Sequence, residues 1–515
     1  MTTPPAKPQS PWSVERSGAA FKGAGLSIRS GAARALAWIA VGLGAVEFVF
    51  RALLRTKSDW MSDLASPYIS ARLLLAGLNP YDPSFTVPVW YGGGAPHIVP
   101  VGLAVAASVY PPPTLLMVLP LALLRWQQAV HVFVATGLLL YAAVVYGLVR
   151  LGWPQHDRLS GLVRDPAATL FLAFCLGFAP IHTAFHSVNI VLFACCAAIL
   201  AVVISLRTSV GASGAVGASM DSGGSTARLQ RRPTSDSRVG VLVALATTAA
   251  ICIKPTTGVF LLPWLVRERR WRWLTGVIVA CALISAVSLV PVLAHQGLSW
   301  LPQYRQNVDA LFTHGGNADV SAANFENTDR IDLQLVAFAA FGNRTLAAAA
   351  AGSIYICLLL AFLARAGWRK DASSSELTPG HGAGMGMPLL VPSGCLALGL
   401  LPSYSRVYAA IVLLPLVLWC FQHLRFSAAR WLLLLLADFL LNTSAIARLV
   451  GAKTGVIAYA PRLWDFTIGG HTCWLLLAIG GLLIYAVRQQ TEEDARYGTA
   501  QAVGSLGGLE SDLAR

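Results

Sequence analysis

Over most of its length the chain alternates long apolar runs with short polar breaks. The runs fall near residues 35–54, 101–124, 127–149, 167–185, 188–206, 239–254, 256–266, 273–294, 344–365, 388–402, 406–422, 431–449 and 470–488. A bilayer core about 30 Å thick needs roughly 20 apolar residues at 1.5 Å rise each. The pattern therefore predicts an all-α polytopic membrane protein with roughly 10–13 transmembrane helices. The runs lack the apolar-out, polar-in alternation of a membrane barrel, and an open sheet edge cannot sit in lipid. The runs near 239–254 and 256–266 are too short to cross singly. They meet at Lys254-Pro255, where a proline removes a backbone donor, so a hairpin or broken pair is expected, buried in protein or lining a cavity.

The polar intervals set an expected orientation. Residues 1–34 carry Lys7, Arg16, Lys22, Arg29 and Arg34 among Pro, Ser and Gly, as a basic cytoplasmic tail does. A polar, aromatic, Gly/Pro-rich loop over 55–100 then lies outside. Intervals 208–238 and 367–387 are basic and rich in Ser and Gly, and read as flexible cytoplasmic loops. With a cytoplasmic tail over 489–515, the loop 295–342 is external. The transmembrane domain spans 35–488. Between 101 and 206 the alternation does not close: Arg125, the basic loop 150–165 and the loop 208–238 cannot all be inside if every run crosses. One of 101–124, 167–185 or 188–206 must be re-entrant or split.

Composition agrees with the pattern: 56% of the 515 residues are hydrophobic and 12% charged, against roughly 45–50% and 25% for average soluble domains. The net charge of +14 would suit nucleic acid, but Arg and Lys sit at run ends, as positive-inside topology demands. The expected partner is the lipid bilayer, not nucleic acid. The nine cysteines show no CxxC and no ligand-type Cys/His spacing, so they read as small core hydrophobes.

Acids are sparse, yet Asp59, Asp63 and Asp82 crowd the loop after the first span. The stretch Asp63-Leu64, Tyr68, and Ala71-Arg72-Leu73-Leu74-Leu75-Ala76-Gly77-Leu78-Asn79-Pro80-Tyr81-Asp82-Pro83 resembles the signature of GT-C glycosyltransferases of family 87, the polyprenol-phosphate-sugar-dependent, mannosyltransferase-like group. Further landmarks follow in order: Tyr110-Pro111-Pro112-Pro113, Asn189 at the start of an apolar run, Lys254-Pro255 before Arg267-Glu268-Arg269-Arg270-Trp271, and Pro402 with Tyr408. The resemblance covers about residues 36–425. The chain departs from the family at His186-Ser187-Val188-Asn189, where Gly-Gln often precedes the asparagine, and at Tyr404-Ser405-Arg406-Val407-Tyr408.

The resemblance implies an integral-membrane hexosyltransferase of the bacterial inner membrane with an external active site. It would move a hexose, plausibly mannose, from a polyprenyl-phosphate donor to a lipid or glycan acceptor. Asp63 is the expected general base and Asp59 its rival. Lys254, Arg305 and Arg406 are the candidate donor-phosphate cations. Tyr68, Asn79, Tyr81, Tyr110, Asn189 and Tyr408 are the candidate substrate contacts. No cofactor and no metal are expected, since no Asp-x-Asp pair serves the scheme.

Other readings of the same residues stand beside these. Asp63 suits a helix N-cap, Asp82 a turn bonded to nearby backbone, and Lys254 a snorkelling lysine. Arg305 suits an ordinary surface loop, and His182 or His186 a helix-to-helix bond. A lipid-glycan flippase or an O-antigen-ligase-like transferase is the alternative for the whole chain; the latter would use the 295–342 loop.

Overall fold

A computed structural model of the protein describes residues 30–57, 62–94, 108–154, 165–217, 234–313, 316, 318–321, 324–367, 386–441, 443–455 and 459–513. Asp59 lies outside them. Helix α1 (Ser30–Phe48) continues as a π-helical turn to Leu53. Three short helices follow: α2 (Ala65–Leu75), α3 (Thr86–Gly92) and α4 (Pro112–Ala122). The long helix α5 (Trp126–Gly152) leads to the broken pair α6 (Pro166–Gly177) and α7 (Ala179–His186). The antiparallel pair α8 (Val191–Gly217) and α9 (Thr234–Ile253) comes next, then the short α10 (Pro255–Gly258) and α11 (Leu262–Arg267).

Helix α12 (Trp271–Gln296) leads into α13 (Trp300–Phe312) and α14 (Leu333–Phe341). After α15 (Arg344–Ala366) and α16 (Gly386–Leu398), a 3-10 stretch over Val407–Leu413 opens α17 (Leu414–Gln422). The chain ends with α18 (Ser427–Leu436), α19 (Thr443–Thr454), α20 (Pro461–Phe466) and α21 (His471–Leu513). The molecule is an all-α polytopic membrane protein. Among the described residues, six helical stretches are long and apolar enough to cross a bilayer; the one over Trp271–Gln296 buries only 17% of its most apolar window. Ile278, Leu283 and Val290 on it are 58–64% exposed, and Leu36 and Leu43 on α1 are 63% and 67% exposed. Water would not tolerate so continuous an apolar surface, and lipid favours it.

At two of the breaks inside apolar sequence, side chains satisfy carbonyls that the break frees. Between α6 and α7, Phe178 is extended and Pro180 offers no donor. The Tyr141 hydroxyl donates to the Cys175 carbonyl at 2.7 Å, and His182 Nε2 lies 2.7 Å from the Leu176 carbonyl. Between α9 and α10, Lys254 is extended and Pro255 starts the next turn. Here the Thr114 hydroxyl of α4 reaches the Cys252 and Ile253 carbonyls at 2.8 and 3.3 Å.

Contacts divide the helix ends between two faces. Gln422 donates to the Gly152 carbonyl, Arg267 to the Ala366 carbonyl at 2.8 Å, and Arg425 pairs with Glu493, so the ends of α5, α11, α15, α17 and the middle of α21 share one face. On the other face the Lys57 amide bonds the His186 carbonyl, the Trp126 amide the Gly93 carbonyl, and Thr472 the Arg330 carbonyl. This arrangement resolves one sequence expectation, that one of three early runs does not cross, and corrects two others. The described part of the 101–124 run is the 11-residue α4, too short to cross, and it packs against α2 on the second face. Arg125 therefore sits there too, at the start of α5, and the alternation closes without a crossing at 101–124. The 431–449 run also breaks, at extended Leu441. Regular helix reaches into intervals expected to be flexible loops or tails: α8 to Gly217, α9 from Thr234 and α21 to Leu513.

Candidate active site

The second face gathers the residues that carry chemistry, because helix ends meet there. Asp63 precedes α2, Asn189 precedes α8, Lys254 ends α9, Tyr110 precedes α4, and Arg406 precedes the 3-10 stretch. Two backbone bonds clamp the acidic loop onto the end of α7. Lys57 N–H donates to the His186 carbonyl at 2.8 Å, and Asp63 N–H to the Ser187 carbonyl at 2.9 Å. The Asn189 side chain does double duty. Its Oδ1 accepts from Val191 N–H at 2.8 Å, capping α8, while its Nδ2 donates to Asp63 Oδ2 at 2.6 Å. Asn189 is 1% exposed, so this amide has few other orientations open to it.

The turn between them is strained. Val188 has φ 52°, a left-handed conformation that a β-branched residue adopts at a cost of about 1–3 kcal/mol. Its cost is met by the bonds on either side, which aim the Ser187 carbonyl and the Asn189 amide at Asp63.

Facing the carboxylate stands a cationic group built around one phenol. Lys254 Nζ lies 5.7 Å from the Tyr404 ring centre, Arg406 Cζ 5.6 Å and Arg330 Cζ 5.1 Å. Arg406 Nε also donates to the Tyr404 hydroxyl. Asp63 is near enough for its charge to act on Lys254, Tyr110, Tyr404 and Tyr408. Burial pushes the Lys254 ammonium below its usual range; Asp63 opposes that shift and Arg406 adds to it. Among the described residues Lys254 makes no direct ion pair. A half-buried ammonium without a contacting anion is a costly arrangement that an anionic ligand would relieve.

Arg330 and Asp332 were not singled out in the sequence. Both are fully buried. Arg330 pairs with Asp332 through Nε and Nη2 at 3.1 and 2.8 Å, and its Nη1 donates to the Ala318 carbonyl at 2.7 Å. Asp332 also accepts from the Ser405 amide at 3.2 Å, and the Ile331 amide donates to the Ser405 carbonyl at 3.0 Å. The 330–332 segment thus fixes the 404–406 loop and carries Tyr404 and Arg406 into place. The Arg-x-Asp spacing could have signalled this only if its burial were known.

Other sequence candidates are placed elsewhere. Tyr68 donates to the Leu124 carbonyl at 2.8 Å, accepts from Arg72 and packs on Trp126. Asn79 bonds Gln303 and the Tyr81 amide. Tyr81 is buried between Trp300 and Tyr304 and bonds the Tyr110 carbonyl at 3.1 Å. These three hold α2, α4 and α13 together. Asp82 caps the turn at Ser84, whose hydroxyl and amide draw its carboxyl below the usual range. Arg305 is exposed on α13, while its neighbours Tyr304 and Asn307 face inward, Asn307 donating to the Tyr81 carbonyl at 2.8 Å. Tyr408 is 8% exposed beside Tyr404 and Tyr110. Among the described residues no three His, Cys, Asp or Glu side chains form a metal-holding group.

A family model for glycosyltransferase family 87 matches residues 109–392. The chain belongs to glycosyltransferase family 87. The matched span of this family 87 glycosyltransferase holds Tyr110, Asn189, Lys254, Arg330 and Asp332, and begins after the Asp63–Pro83 stretch. No match is found among curated proteins or among solved structures.

Proposed function

We propose that this family 87 glycosyltransferase moves a hexose, with mannose the first candidate, from a polyprenyl-phosphate donor to a hydroxyl of a lipid or glycan acceptor. The observation that supports this reading is the pairing, at one cluster of helix ends, of an oriented carboxylate with an ammonium that has no contacting anion. Asp63 takes the proton of the acceptor hydroxyl as its oxygen attacks the anomeric carbon. The bond from that carbon to the phosphate oxygen breaks in the same step, so the configuration inverts. Negative charge gathers on the departing phosphate, where Lys254 and Arg406 stabilise it. A positioned base of this kind supplies about 10²–10⁴-fold.

Sidedness is part of the proposal. Most of the 38 Lys and Arg fall in segments joined to the face opposite the site, which suits a cytoplasmic location for that face and an external site. A bacterial inner membrane is the proposed location.

The test is transfer of radiolabelled sugar from synthetic polyprenyl-phosphate-mannose and polyprenyl-phosphate-glucose by the purified protein in lipid. Donor-dependent labelling that falls at least about 100-fold in Asp63→Asn, with normal expression and unfolding, is expected. Full activity in that variant would remove Asp63 as base. No labelling with either donor, given a mixed lipid extract as acceptor, would turn attention to a flippase.

A further inference from the structure

A cavity of about 450 Å³ opens between the π-helical turn after α1, helix α7 and the segment joining α18 to α19. It shares no lining residue with the Asp63–Lys254 cluster. Arg51, Arg55, His182 and Thr183 line one side of it, with Glu47 beside Arg51. Leu440, Leu441 and Ile446 line the other.

The polar side has a cationic excess. Glu47 pairs with Arg51 at 3.0 Å, which leaves the charge of Arg55 unbalanced by any contacting acid among the described residues. The Arg55 guanidinium is held over the Phe50 ring at 4.7 Å, which fixes it near the cavity.

Deeper in the wall, His182 is 3% exposed. Its Nε2 lies 2.7 Å from the Leu176 carbonyl; a carbonyl only accepts, so Nε2 carries the hydrogen. Nδ1 is then a lone-pair acceptor in the neutral ring, and it has no partner among the described residues. An orphaned acceptor at such depth is costly without a donor. A ligand hydroxyl would be one.

The apolar side argues for a lipid. Leu441 and Ile446 are 60% and 54% exposed, and Phe50 and Leu54 nearby are 51% and 72% exposed. The π-helical turn ends the candidate span Gly31–Leu53, where chain tails give way to headgroups. Helical irregularities of this type recur at functional sites.

We propose that this cavity binds an anionic phosphodiester lipid with a hydroxylated headgroup. The phosphate meets Arg55 and Arg51, the headgroup hydroxyl donates to His182 Nδ1, and the acyl chains lie along Leu440, Leu441 and Ile446. The proposal does not depend on the transfer reaction. It does bear on it, because α7 ends at the His186 and Ser187 carbonyls that clamp Lys57 and Asp63.

The probe is dioleoyl-phosphatidylglycerol, titrated onto the full-length detergent-solubilised protein and read by native mass spectrometry against dioleoyl-phosphatidylcholine. Retention of the glycerol lipid about tenfold stronger than of the choline lipid is expected, the size of one or two charge-assisted bonds. Arg55→Gln, at an exposed position, and Leu441→Glu, which brings negative charge to the chain side without touching the core, should each abolish that preference. Equal retention of both lipids, or a preference unchanged in both variants, would overturn the proposal. Free glycerol phosphate displacing the lipid at equal concentration would do the same, by assigning the cavity to a small phosphate.

Discussion

Asp63 is oriented from two directions, by its own amide on the Ser187 carbonyl and by Asn189 Nδ2 on Oδ2. Replacing the amide tests that orientation without removing the α8 cap. Asn189→Asp keeps an acceptor for Val191 N–H but sets a second carboxylate beside the first. Like charges this close repel, so the base is aimed less well and kcat should fall by about tenfold or more with KM little changed, read from steady-state sugar transfer. An unchanged kcat would mean that Asn189 does not orient the base. Burial lowers the pKa of Lys254, so the cation needed by a departing phosphate is lost as pH rises through that depressed value. Lys254→Arg stays charged at all working pH; its alkaline limb should therefore lie higher than wild type, at some loss of rate from altered geometry.

Asp63, Lys254 and Arg406 stand out in the sequence because a charge inside an apolar chain is conspicuous, while Asn189 and the role of Asp63 come from the family resemblance. Asp63, Asn189, Lys254 and Arg406 do come together in space. Tyr68, Asn79 and Tyr81 could not be told apart from substrate contacts in advance, since a tyrosine that holds helices together and one that meets a sugar look alike in a motif. Tyr404 stands in a quoted motif, yet its place as a hub was not legible there for another reason. Its importance comes from Arg330 and Asp332, which lie some 70 residues earlier in sequence and reach it only through tertiary pairing.

At the scale of elements, breaks in helices position the site. The Arg330–Asp332 pair has no solvent exposure on either side chain, and removing one charge would strand the other. Asp332→Asn should destabilise the protein by about 3–5 kcal/mol, measured by thermal unfolding in detergent, and should loosen the 404–406 loop. A cost below 1 kcal/mol would mean that the arginine finds another partner. The glycine at 258 marks a second dependence. A Cβ there would come 2.4 Å from the Ile251 backbone nitrogen, so Gly258→Ala should push α10 off the end of α9, at about 1–3 kcal/mol, with Lys254 displaced. Hydropathy showed the Lys254-Pro255 break because proline and a charge mark it together. At Phe178 it left the break open among three runs, because Pro180 there stands in apolar sequence with no charge beside it, and the arrest of α4 could not be chosen among the same three because it depends on packing against α2.

For the whole molecule, the order of faces is the main result. Single cysteines at Gln303 on α13 and at Ser427 on α18 should react with a membrane-impermeant maleimide from opposite sides of sealed vesicles, above the background of the native thiols. Reaction from the same side would refute the two-face assignment. Under the proposed sidedness, with the basic connections in the cytoplasm, Ser427→Cys should react from the cytoplasmic side and Gln303→Cys from the outside.

Helix α21 runs without a break from His471 to Leu513. At 1.5 Å per residue that is a rod of about 65 Å, longer than a bilayer with its headgroups, at about 40–45 Å. One end grips the segment behind the cationic hub: Thr472 bonds the Arg330 carbonyl and Cys473 lies 3.0 Å from the Asp332 carbonyl. The rod is thus a lever with its short arm at the chemistry and its long arm in the opposite compartment, so a grip on the far end would be felt as torque at Tyr404. Cross-linking the far arm to α18 through cysteines at Gln489 and Ser427, whose side chains lie 2.9 Å apart, would lock that lever; unchanged turnover in the locked protein would show that the arm carries no load.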